Sequence, residues 1–287
     1  MSISILVSNN IAANAGFSWL AGGTPKAVAW QVSFEAAAAS AIDVTEIVVT
    51  GSSGGSVSYT GGGVKMVKQK TIIGQDIVTL VFWIETADLS GLSGTTLTPS
   101  FTFTGTLNGS ANYACNAMAL DAATPAIVFD TSTVVNTLSA ATPWSESTMT
   151  CAANSIQIAA SGASTSSTRV NSVGASTPSS FAEDRDTTSG SHNIYAGHYL
   201  NNAGGSRGVI VSLTAADTGG LVVVSLKEAP TSAVSPGQGS ATLTGTQAGR
   251  RVNENIAPHT AAPVFEEVPW ELLLPSTRHD RLPQHWR

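Results

Sequence analysis

Charged side chains are scarce in this chain: 11% of its 287 residues are Asp, Glu, Lys or Arg, against about 25% in an average soluble domain. The shortfall excludes long exposed helices, which draw on Lys, Glu, Arg and Gln for propensity and for surface charge. Solubility must rest on Ser, Thr, Asn and Gly, a mixture suited to short strands joined by turns. A surface so poor in charge is also weakly protected against association, which fits a protein housed in a symmetric assembly. Basic charge is the scarcer sign. Up to residue 249, 8 Lys and Arg stand against 14 Asp and Glu, so this part carries the whole net charge of −6; the last 38 residues hold 5 of each sign. Neither part has the basic stripe that phosphate neutralisation requires, so no direct nucleic-acid partner is expected.

Cysteine is nearly absent as well. Cys115 and Cys151 are the only two, too few for the disulfide framework of small secreted domains, and they read as reduced, buried thiols. The first residues, Met1 to Ser8, have no basic region or long apolar core, so no signal peptide is expected. No run of about 18 apolar residues is present to span a bilayer, and no membrane partner is expected.

What the chain does have is strand signals. Ile3 to Val7, Ala27 to Phe34, Val44 to Thr50, Val57 to Thr60, Val64 to Ile73 and Ile77 to Glu85 are β-branched or aromatic runs, separated by Gly, Ser, Asn or Asp. Val28, Trp30, Val32 and Phe34 recur at period two, the mark of one strand face. Ile77 to Ile84 is apolar on both faces and predicts a central strand covered on each side. The pattern continues with Ser100 to Gly105, Tyr113 to Leu120, Ala126 to Val135, Ser155 to Ala160, Ile194 to Leu200, Gly208 to Thr214 and Leu221 to Glu228. Glu35 to Ala41 is alanine-rich enough for one helical turn. The segment 161–191, rich in Ser and Thr, reads as an insertion. The expected fold class is all-β: an antiparallel β-sandwich, jelly-roll-like, over residues 1–229, with an extended C-terminal arm over 230–287.

Seven of the twelve prolines fall from Pro230 onward. Proline removes a backbone donor and holds its predecessor extended, so this stretch is neither a central strand nor a long helix. Yet Val264, Phe265, Val268, Trp270, Leu272, Leu273 and Leu274, framed by Pro263, Pro269 and Pro275, are too apolar for an inert linker. Exposed, they would form an adhesive patch. They are the candidate partner-binding residues, expected to bury on another chain, with folding back onto their own sandwich or a disordered tail as the alternatives.

Constellations that carry chemistry are thin. His192 and His198 lie near Glu183, Asp184 and Asp186, but a zinc site wants three or four ligands on fixed elements. The calcium-loop alternation is missing around Glu183 to Asp186, and they read as a solvated charge cluster. Gly61 to Gly63 precede a strand signal and not a helix, so a hairpin turn is expected and not a phosphate cradle. Gly51 to Gly54 is a turn by composition and lacks a nucleophile elbow. No catalytic residue, cofactor or metal is assigned. Trp30 and Trp83 read as core; Trp19 and Trp144 lie at turns, where rim packing competes with stacking on sugar rings.

The pieces Phe17-Ser18-Trp19, Gly23-Thr24-Pro25-Lys26-Ala27-Val28, Val44-Thr45 and Val57-Ser58-Tyr59-Thr60-Gly61-Gly62-Gly63-Val64-Lys65-Met66 resemble a family of uncharacterised phage and prophage virion proteins. Val234 to Gly245 looks like the Ser-Pro-Gly-x-Gly-x-x-x-Leu-Thr-Gly segments found beside such domains. The resemblance covers roughly residues 17 to 245; the enlarged Ser/Thr segment and the arm depart from it. It implies a non-enzymatic particle component, made in a bacterial cytoplasm and located in the virion. On this reading the chain decorates the capsid or forms a head-fibre base. Its partners would be further copies of itself and other virion proteins, such as the major capsid protein or portal and tail proteins. The alternative is a tail or fibre receptor-binding protein that uses the Ser/Thr segment and Trp144 to contact a host glycan.

Overall fold

A computed structural model describes residues 3–230 apart from 13, 20–23, 38–41, 61–65, 74, 109–112, 144–146, 164–169, 175–180, 190–191 and 202. The chain divides into a compact unit, Met1–Ala233, and a second, Val234–Arg287. The second lies outside the described residues, and with it the arm and its candidate residues.

The first unit is almost entirely antiparallel β-structure. In chain order the strands are β1 (Ser4–Ile11), β2 (Phe17–Ser18), β3 (Ala27–Glu35), β4 (Asp43–Gly51), β5 (Ser56–Thr60), β6 (Met66–Ile73), β7 (Gln75–Ile84), β8 (Thr96–Thr104), β9 (Tyr113–Asp121), β10 (Ile127–Ala141), β11 (Ser147–Cys151), β12 (Ser155–Ala163), β13 (Val170–Gly174), β14 (Ala182–Ser189), β15 (His192–Asn201), β16 (Gly205–Leu213) and β17 (Asp217–Glu228). The one described helix, α1, is a single turn over Thr86–Leu89. The alanine-rich stretch expected to make such a turn starts as strand instead: Glu35 ends β3 and Ala36 bridges to Leu107. Alanine's helical propensity yields there to a sheet that buries Glu35 and Ala36 completely.

Among the described residues four sheets form, with orders β1-β9-β3-β7-β6, β2-β8-β4-β5, β10-β17-β12-β15-β14 and β11-β16-β13. With β5 set aside, the strand order of β10 to β17 is that of the first half. β10, β17, β12, β15 and β14 take the places of β1, β9, β3, β7 and β6, while β11, β16 and β13 take those of β2, β8 and β4. The single sandwich expected over 1–229 is thus a pair of like-ordered halves. Nor is 161–191 one long insertion, because the end of β12 and all of β13 and β14 fall within it. Its Ser and Thr residues pass for loop by composition, but period-two pairing to β15 and β16 supplies their backbone partners.

Three hydrophobic clusters lie between successive sheets. Even-numbered residues of β3 and β7, from Val28 to Phe34 and Val78 to Ile84, pack with Ile47, Val49 and Leu97 of the β2-β8-β4-β5 sheet. Trp30 stacks on Phe82 with ring centroids 4.8 Å apart. The odd-numbered face of the same strands, Ala27, Ala29, Val81 and Trp83, packs against Ile156, Ile158, Val222 and Val224 of β12 and β17. The other face of β12 and β17 joins Met149, Cys151 and Leu213 in the third cluster. Every residue of β3 and β12 is consequently buried. The expectation of a strand covered on both faces holds for β7, where Ile77 to Ile84 are all buried.

The two five-stranded sheets approach closely where their side chains are small. A Cβ added at Gly162 would lie 2.6 Å from Thr79 Oγ1, 2.7 Å from Ser33 Oγ and 2.9 Å from Ile77 Cγ2. These neighbours are themselves buried, so they have little room to yield. Gly162→Ala is expected to destabilise the protein by about 1–3 kcal/mol, the usual cost of overpacking, as read from urea unfolding. An unchanged midpoint would show that the sheets are not in contact there.

Candidate docking surface

Strand β8 is paired along its length with β4 on one side. On the other side β2 covers only its start, through Phe17 opposite Leu97 and Ser18 opposite Thr96. From Thr98 onward, β8 has no strand partner on that side among the described residues. The orientation of its backbone follows from two side-chain bonds of β4: Thr50 Oγ1 donates to the Thr98 carbonyl (3.4 Å) and Thr45 Oγ1 to the Thr102 carbonyl (3.1 Å). Backbone groups alternate sides along an antiparallel strand, so those of Pro99, Phe101 and Phe103 point away from β4. Pro99 suits this position because its missing N–H falls on the unpaired side.

A cleft of about 360 Å³ opens along this ledge, lined by Asn14, Phe34, Thr98, Pro99, Ser100, Phe101 and Phe103. Its floor is aromatic. The Phe34 ring meets Phe101 at 5.0 Å and Phe103 at 4.9 Å, both edge to face, a favoured geometry for such pairs. Phe101 and Phe103 remain partly exposed, so apolar surface and unpaired backbone lie side by side. A second cleft, of about 200 Å³, is lined by Trp19, Thr24, Pro25, Leu89, Leu92, Gly94 and Thr95.

A polar network occupies the other end of the interface between the five-stranded sheets. Gln31 Nε2 donates to the carbonyls of Ala159 and Gly197, each at 2.8 Å, and Gln31 Oε1 accepts from Asn116 Nδ2 at 2.7 Å. The buried amide is satisfied by strands of both sheets, as burial of a polar group demands. Nearer the surface, Arg185 Nη1 donates to the Cys115 carbonyl (2.7 Å) and the Ile11 carbonyl (3.2 Å). His198 Nδ1 donates to the Asp184 carboxylate, 3.0 Å from each oxygen, and Asn10 Nδ2 donates to the Asp184 carbonyl (3.3 Å). The residues read as a solvated charge cluster are therefore partly engaged. Asp184 binds His198 and Arg185 spans the sheets, whereas Glu183 is exposed.

The remaining sequence candidates are distributed as follows. His192 opens β15 opposite Ser189, six residues from His198. Among the described residues no three His, Cys, Asp or Glu side chains gather as a metal site. Gly51 to Gly54 form the turn between β4 and β5, with Gly54 and Gly55 at φ of 124° and 82°, a conformation that favours glycine. Trp30 and Trp83 are core; Trp19 is buried, 6.4 Å from Phe17 and at the rim of the smaller cleft. Trp144, Gly61 to Gly63 and the arm residues Val264, Phe265, Val268, Trp270, Leu272, Leu273 and Leu274 lie outside the described residues. Sequence reasoning missed the ledge, although Pro99 inside an otherwise regular strand was the signal available.

No protein-family model matches this chain, and no curated protein is recognisably similar to it.

Neither cysteine forms a disulfide and both are buried, in different clusters. Desolvation pushes the Cys115 thiol far above its ordinary value, with only a partial offset from the Arg185 charge. Since the thiolate is the nucleophile, a thiol reagent at pH 8 is expected to find no reactive group in the folded protein and two after denaturation. Rapid labelling of the native chain would contradict that burial.

Removing the Gln31 amide leaves Asn116 Nδ2 only its bond to Ser8 Oγ and takes one donor each from the Ala159 and Gly197 carbonyls. Gln31→Leu is accordingly expected to cost about 2–4 kcal/mol, given about 1–3 kcal/mol for each unsatisfied buried group. A double-mutant cycle with Asn116→Leu measures the coupling. Additive losses would show that the two amides do not interact.

Proposed function

We propose that this chain is a structural protein of a bacteriophage virion. It is capsid-associated, as a shell decoration or the base of a head fibre, and docks on neighbouring subunits through residues 230–287. The observation that carries this reading is the repeated strand order. Within each half the first strand lies beside the last and the third stands next, followed by the β7-β6 or β15-β14 hairpin, while β2, β8, β4 and β5, or β11, β16 and β13, form a facing sheet. We read this as a jelly roll used twice, a fold common in viral capsid and lectin domains. Low charge supports the same reading, since it suits a surface covered by neighbours.

No catalytic role is assigned. Among the described residues the acid-histidine contact is Asp184 with His198, part-buried where the β14–β15 hairpin meets β1, and no described nucleophile with an orienting base accompanies it. The expected partners remain other virion proteins and further copies of the chain, with self-association by symmetry.

The runner-up is a tail or fibre protein that contacts host polysaccharide, because jelly rolls also serve as lectins and Trp19 borders a cleft. Deleting residues 250–287 decides between the two. The capsid reading expects the truncated chain to stay folded and soluble by circular dichroism while disappearing from purified particles. Normal incorporation, together with glycan binding by the truncated chain, would overturn it.

A further inference from the structure

We infer that the ledge of β8 receives the arm of a second copy of this chain, as an added β-strand formed by Val268 to Leu274. The inference deepens the docking reading above and rests on it. The receiving side is a row of backbone groups from Pro99 to Phe103 without a strand partner among the described residues, beside a cleft floored by Phe34, Phe101 and Phe103. Strand addition needs these two things: backbone groups for affinity and a pocket for alternate side chains.

The arm carries the matching pattern. In Val268-Pro269-Trp270-Glu271-Leu272-Leu273-Leu274 the apolar residues Val268, Trp270, Leu272 and Leu274 fall at period two, so an extended chain presents them on one face. In an antiparallel pair the residues that bond to the partner have their side chains on the same face as the residues opposite. If the even-numbered arm residues bond to Phe101 and Phe103, their side chains must lie on the face of the Phe rings. Pro269 and Glu271 then take the other set, with the missing N–H of Pro269 and the carboxylate of Glu271 directed to solvent. That is the one register of the two in which proline costs no hydrogen bond and no charge is buried. Pro275 ends the strand.

Reach is ample. From Pro230 to Val268 the chain runs 38 residues, about 125 Å when fully extended at about 3.3 Å per residue. Self-association through such an arm also removes an apolar segment and an open strand edge from water in one step, where each alone invites non-specific association.

The test uses full-length chains. Sedimentation velocity of the unaltered protein is expected to show concentration-dependent self-association. Asn14→Trp, which fills the cleft from an exposed position, and Leu272→Asp are each expected to weaken it about 30-fold, the scale of losing one buried anchor. Copies carrying Asn14→Cys, mixed with copies carrying Trp270→Cys and oxidised, should give a cross-linked dimer. Copies carrying Thr102→Cys, on the outer face of β8, should not cross-link to the Trp270→Cys copies. If removing residues 263–275 abolishes association while Asn14→Trp leaves it intact, the arm docks elsewhere: the ledge assignment falls and the docking reading stands. If neither change alters association, both fall. A cross-link confined to a single chain carrying both cysteines would overturn the assignment to a second copy.

Discussion

The contact between the two five-stranded sheets constrains everything else in this molecule. A sheet with one face on the core and the other in water can alternate apolar and polar residues freely. Strands β3, β7, β12 and β17 have no such freedom, because each has a hydrophobic cluster on both sides. They must find residues that are apolar, small, or polar with a partner across the gap. The result is graded along the interface. Trp83 and Phe129 stack at 5.3 Å at one end, Ser33, Thr79 and Gly162 allow close approach elsewhere, and Gln31 bonds across the gap. Buried amides of this kind trade little net stability for a strong penalty on any other register.

Much of the first half was legible in the sequence because its strands obey simple rules. Period two in Val28 to Phe34 identified β3, and the unbroken apolar run from Ile77 identified β7 as covered on both faces. β12 was seen only as far as Ala160, since Ser161 and Gly162 look like the start of a loop. Their small size is what the facing sheet requires, a reason visible only once that sheet is in place. β13 and β14 were hidden for a related cause: Val170 to Gly174 and Ala182 to Ser189 are polar or small enough to pass as turn sequence, and pairing with a neighbour makes them strands. The repeated strand order could not be read at all, because topology can recur without any recurrence of residues.

The candidate docking surface was legible in a different way. The composition of residues 263–275 announces a segment that needs burial, but gives no clue to its receiver. The cleft depends on how far β2 extends along β8, and a two-residue strand leaves no periodicity to detect. The acidic cluster near His198 shows the converse. Spacing left its charges in solvent, whereas folding brings Arg185 onto the carbonyls of two strands that lie 70 and 174 positions away in sequence.

One outcome of using the same strand order twice concerns the two outer sheets. Their strand orders match apart from β5. β2-β8-β4-β5 carries an aromatic cleft, and β11-β16-β13 has one strand fewer among the described residues. A chain built this way is a coin with unlike faces: its halves share one mechanical frame while each outward side is free to diverge. A substitution on one outer sheet thus lies two interfaces away from the other and leaves the contact between the five-stranded sheets as it was.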